Sequence, residues 1–128
     1  MNLYENSMAQ EADEAPTEIT REEYDEMRNG YTDIIQHSDS LKRLHADPDF
    51  TSVVIEGYLT NEVKRLANLM GSGRINEKTF NDCASQIKAV ADFRSYLVLV
   101  LDQGRIASDE LTGLEEAWND ALESGIVE

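Results

Sequence analysis

Proline occurs at only two positions, Pro16 and Pro48, and nothing after residue 48 interrupts the chain in that way. Inside a helix, proline removes a backbone hydrogen bond and clashes with the preceding turn, at a cost of about 3 kcal/mol. Both prolines here sit where a helix would begin or a linker would end, so the rest of the chain is free to build long helices. The expected fold class is all-α: a small bundle of about four helices behind a flexible acidic N-terminal arm.

Start and stop signals divide the chain accordingly. Residues 1–18 have few large apolar residues and no base, too little to offset chain entropy, and read as a disordered acidic arm. Residues 19–128 read as a single helical domain, with helices near 20–46, 48–70, 76–103 and 108–124. Thr20-Arg21-Glu22-Glu23 has the form of a capping box, the Thr20 hydroxyl on the Glu23 amide and the Glu23 side chain reaching back. From there Tyr24, Met27, Tyr31, Ile34, Ser38, Leu41 and His45 recur in alternating steps of three and four, a heptad seam holding one serine and one histidine. Asp47-Pro48 restarts the chain as an N-cap followed by proline at the first helical position.

The second stretch carries a broad apolar face from Phe50 to Met70, with Gly57 and Thr60-Asn61 marking an expected kink or break, and Gly71-Ser72-Gly73 ending it. The third is expected to begin at Asn76 and end at Gly104. Its last turns, Leu97 to Leu101, are apolar on all sides, which places them at the centre of the fold or against another chain. Ser108 is expected to cap a fourth, acidic helix that Gly125 ends, with Leu111, Leu114, Ala117, Trp118, Ala121 and Leu122 along one side.

Charge is distributed as unevenly as proline. Residues 1–18 and 107–128 contain no Lys or Arg and carry −5 and −7, leaving 14 acids against 11 bases in residues 19–106. Such flanks repel polyphosphate and anionic lipid and favour basic protein surfaces, so no direct nucleic-acid or membrane partner is expected. The longest apolar run, residues 96–101, falls far short of the ~20 residues of a membrane span. Nothing in the sequence has the pattern of a secretion signal, and a single cysteine, Cys83, fits a reducing, cytosolic setting.

No residue set spells a reaction, and the chain reads as non-enzymatic, with no catalytic, cofactor or metal residues. His37 and His45 are eight apart, not the three or four that bring two ligands to one helical face. Gly71-Ser72-Gly73 follows a helix and lacks the Lys-Ser/Thr ending of a phosphate loop. Cys83 falls on the apolar side of its helix, as a small core residue does. The candidates that stand out concern binding. Trp118 is expected in the core, with an anchor in a partner's groove as its functional alternative. Glu115, Glu116 and Asp120 on the same helix are expected to meet a basic rim, and Leu99 in the apolar run is a fifth candidate contact.

One stretch has a recognisable cadence. Leu44 and Asp47-Pro48-Asp49-Phe50 lead into Ile55-Glu56-Gly57-Tyr58-Leu59, then Glu62 and Arg65-Leu66-Ala67. After a loop come Ile87-Lys88-Ala89-Val90-Ala91-Asp92-Phe93-Arg94-Ser95-Tyr96-Leu97. This resembles a group of small helical proteins encoded by tailed bacteriophages, often among the genes for head assembly. The resemblance implies a structural or assembly role in the host cytoplasm and in the virion, with capsid, portal or scaffold proteins, or the chain itself, as partners. It carries no site residues, and the acidic ends lie outside it. Charge density alone suggests a different expectation, an acidic early phage protein that inhibits a host nucleic-acid-binding machine by DNA mimicry.

Overall fold

The structure, a computed structural model, describes residues 19–125. The expected arm, residues 1–18, lies outside the described residues. Within them the chain is all-α, with three helices and no strand. Helix α1 is Arg21–Ala46. Helix α2 occupies residues 48–71, as a first turn Pro48–Phe50, a π-helical stretch Thr51–Glu62 and an α-helical stretch Val63–Gly71. Helix α3 is Glu77–Glu123, 47 residues and about 70 Å long.

The local signals at the helix starts hold. The Thr20 hydroxyl accepts the Glu23 N–H at 3.1 Å, although the return bond from the Glu23 side chain is not seen among the described residues. Asp47, in an extended conformation, ends α1 and caps α2 by accepting the Asp49 N–H at 2.8 Å. Asn76 caps α3 through the Thr79 N–H, also at 2.8 Å. Between α2 and α3 the chain turns at Gly73, whose φ of 71° is the left-handed conformation that glycine adopts without a side-chain clash.

The expected break at 104–108 is absent: the helices anticipated near 76–103 and 108–124 are one continuous helix. Gly104 does not end it, because Gly104 is a point of contact. It is buried against Ser38 of α1, so close that an added Cβ would lie 2.2 Å from both Cβ and Oγ of that serine. Packing at this crossing overrides the roughly 1 kcal/mol that glycine costs a helix interior. Ser108 caps nothing; its carbonyl accepts the Thr112 hydroxyl one turn on, in mid-helix.

The break anticipated at Gly57 and Thr60 is likewise absent. The chain there stays helical but winds more widely, and the Thr60 hydroxyl donates to the Ile55 carbonyl five residues back instead of capping a new helix. Steps of five and four separate Phe50, Ile55 and Leu59, and a turn of more than four residues brings all three to one groove.

Helix α3 is the backbone of an antiparallel hairpin. Tyr24 near the start of α1 stacks on Trp118, ring centroids 4.6 Å apart, and Ser38 meets Gly104. Further along, Tyr58 meets Phe93 edge-on at 5.9 Å, and Arg94 donates to the Leu59 carbonyl. α1 therefore covers the C-terminal half of α3 and α2 the N-terminal half, both antiparallel to it and one after the other. This is a two-layer rod, not the compact bundle that four helices would make.

The core is the seam of that rod. On α3, Cys83, Val90, Leu97, Gly104, Leu111 and Trp118 recur every seven residues, each buried or half-buried. Beneath α1 the companion positions are Val100, Ala107, Leu114 and Ala121, all buried or half-buried. Leu59 and Leu66 are the buried residues of α2.

Candidate interaction surface

A helix in a two-layer hairpin buries one stripe and shows the rest to water. That suits much of α3, where Phe80, Phe93, Ile106 and Leu122 are exposed singly among polar residues, but not residues 96–101. These are apolar on every side, and among the described residues α1 and α2 cover only part of them. Tyr96 and Leu99 are each 50% exposed and Val98 52%, while Leu97 and Val100 point into the seam. Of the two places expected for this run, the centre of the fold or against another chain, the first is corrected: the run is helical as expected, but the hairpin leaves much of it uncovered.

Where α1 gives way to α2, a groove opens on either side of the run. On one side Ile55 and Leu59 of α2 face Val98 and Leu101 of α3, around a nearly wholly apolar groove of about 350 Å³. Lys42, His45 and Arg94 stand at its rim. On the other side Leu44, Phe93 and Tyr96 line a smaller groove of about 240 Å³, where His37 Nε2 and Tyr96 Oη are hydrogen-bonded at 3.2 Å. The two histidines thus border apolar grooves on opposite sides of the rod. Among the described residues no group of His, Cys, Asp or Glu is placed to hold a metal ion, and no helix is long and apolar enough to cross a membrane.

The ends of the rod differ in charge. The closed end, residues 61–90, has five bases against three acids. Glu62 holds Arg65 by hydrogen bond and ion pair, which raises the guanidinium pKa further, and Lys78 and Lys88 face Asp82 and Asp92 one turn on. Lys64 and Arg74 have no ion-pair partner among the described residues. The open end, residues 19–33 with 105–125, has eleven acids against three bases.

Four of the five candidate residues face or partly face solvent. Glu116 and Asp120 are exposed and Glu115 half-buried on the open end of α3, and Leu99 projects from its centre. Trp118 is the exception at 6% exposure, sealed against Tyr24. It is a core residue, and it does not stand at the surface as a docking anchor. The acids and Leu99 are separated along α3 by about 24 Å or more, the rise of sixteen helical residues from Leu99 to Glu115.

No family model, curated protein or solved structure matches the chain. The surface itself is therefore the ground for a functional reading. The residues that sequence reasoning missed, Phe93, Tyr96 and Val98 beside the grooves, had a visible signal. The apolar run covers more helix surface than one neighbour can bury.

Proposed function

We propose that this chain is a non-enzymatic bacteriophage structural or assembly protein that binds other virion proteins through its helical faces. The observation that carries the reading is the apolar belt at residues 96–101, where Tyr96, Val98, Leu99 and Leu101 are exposed together at the middle of the rod. Contiguous exposed apolar surface is a mark of protein interaction sites. The phage-protein cadence supports the same reading, since it spans α2 and the first half of α3, up to this belt. The chain acts in the host cytoplasm and, on this reading, enters the assembling particle. The test is to follow the tagged chain through infection: copurification with capsid, portal or scaffold protein supports the role. Absence from both virions and every assembly intermediate removes it.

One observation favours a second reading, an acidic early protein that mimics DNA. The eleven acids of the open end stand on ordered helices, as mimicry of a phosphate array needs. On that reading the purified chain displaces duplex DNA from a host DNA-binding protein. Reversal of Glu115, Glu116 and Asp120 to Lys then abolishes the displacement, and retained displacement in the triple variant counts against it.

A further inference from the structure

The apolar belt, the length of α3 and the charge of the two ends bear jointly on one question that the assembly role does not answer: what first covers the belt. Helix α3 runs from residue 77 to 123, so its midpoint is residue 100. The exposed pair Val98 and Leu101 straddles that midpoint, beside the groove formed with Ile55 and Leu59. We propose that the occupant is a second copy of this chain, related by a two-fold axis across the rod at Val98–Leu101, so that the two hairpins pair antiparallel as a four-helix assembly.

Position, charge and area support this choice of partner. A two-fold axis at the midpoint lets two rods overlap along their whole length, whereas an apolar patch nearer one end would leave half of each rod unpaired. In an isologous contact the same patch meets itself, so Val98 of one copy packs on Leu101 of the other and the reverse. The antiparallel arrangement also sets the closed end of each rod, five bases against three acids, beside the open end of the other, eleven acids against three bases. A parallel pair would instead bring two open ends together and add to their repulsion. A rod of about 70 Å with a face about 10 Å wide offers about 700 Å² per copy, close to the about 800 Å² per partner of a standard stable interface.

The inference stands apart from the phage reading, and the two fail separately, since this one is tested on the purified full-length chain. Sedimentation equilibrium should give twice the 14.4 kDa chain mass. The variant Val98→Asp with Leu101→Asp should sediment as a monomer while keeping its helical circular dichroism. Reversal at the closed end, Lys64→Glu with Arg74→Glu, touches no ion pair and should weaken association about tenfold at low salt and little at high salt. Adding Glu116→Lys and Asp120→Lys to that variant should recover part of the loss, since the open end then carries nine acids against five bases. Orientation is read by cross-linking in a Cys83→Ser background. A chain with Arg74→Cys should cross-link to one with Asp120→Cys, and chains with Lys78→Cys should not cross-link to each other. A monomeric mass at every concentration, a Lys78→Cys self-cross-link, or no recovery by the compensating reversal each overturns the proposal.

Discussion

The crossing of α1 and α3 makes a quantitative prediction, because its geometry isolates one contact. Gly104→Ala places a methyl group 2.2 Å from Cβ and Oγ of Ser38, where carbon atoms attract best at about 3.5–4.0 Å. The helices must part by about 1.3 Å or the side chain must leave its well, and overpacking of this kind costs typically 1–3 kcal/mol. Both atoms are fixed close to backbone, which puts the cost at about 3 kcal/mol. Alanine recovers about 1 kcal/mol as the better helix former. The net loss is about 2 kcal/mol, or roughly 10 °C in melting temperature for a domain of this size. Ser38→Gly removes both clashing atoms and leaves Ser38 Cα, at 3.7 Å, as the nearest. The double variant should therefore melt near the wild type, with a coupling of about 3 kcal/mol in the cycle. The assay is thermal and urea unfolding followed by helical circular dichroism, at one fixed protein concentration. If Gly104→Ala melts at or above the wild type, or if Ser38→Gly fails to rescue it, the close approach does not hold and Gly104 is only a weak point in a long helix.

Ser38 offers a second test at the same place: its hydroxyl is buried without a hydrogen-bond partner among the described residues, so Ser38→Ala should be neutral or stabilise by up to about 1 kcal/mol in the same melts. Trp118→Ala should cost about 3–5 kcal/mol and abolish the near-ultraviolet dichroism of the Tyr24–Trp118 stack, because the indole is buried and stacked. Thr20→Ala should cost about 1 kcal/mol and raise amide exchange in the first turn of α1 without disturbing the rest. In the Val98→Asp, Leu101→Asp background, where association is removed, reversal of Glu115, Glu116 and Asp120 to Lys should leave the melting temperature unchanged or raise it, since positive charge in the last turns of α3 complements its dipole; a large fall would place those acids in structural contacts.

The difference between the expected four helices and the observed three turns on two residues. Gly104 and Ser108 together read as a helix end and a new cap, which is what such residues do when nothing packs on them. A signal against that reading was present. The step of seven from Cys83 through Val90, Leu97, Gly104 and Leu111 to Trp118 crosses the supposed break without a change of phase. Two separate helices with a turn between them would have no reason to keep it. For Gly57 and Thr60 no comparable signal existed, because a helix that widens to i→i+5 bonds keeps its residue types and changes only its winding. The candidate surface was half legible: an apolar run too broad for one neighbour was visible, whereas the grooves beside it depend on where α1 ends against α3.

The features determined by the sequence alone are those whose physics is local. Thr20, Asp47 and Asn76 start helices because each side chain reaches a backbone N–H two or three residues ahead, and Gly73 ends one because only its own φ is at stake. The spacing of apolar residues likewise marked Ser38, Leu66, Cys83, Val90 and Trp118 for burial. On α1 it misplaced Met27, Ile34 and His45, expected in the seam and exposed in the structure, because α1 meets one neighbour over a stripe narrower than its apolar face. Tertiary structure decided the rest. It made Gly104 a contact instead of an end, folded α1 and α2 in succession along one helix, and left Tyr96, Val98, Leu99 and Leu101 exposed at its middle. Those outcomes depend on atoms brought together from positions more than sixty residues apart, as Ser38 and Gly104 are, and the free energy of such a contact appears only when both helices are in place.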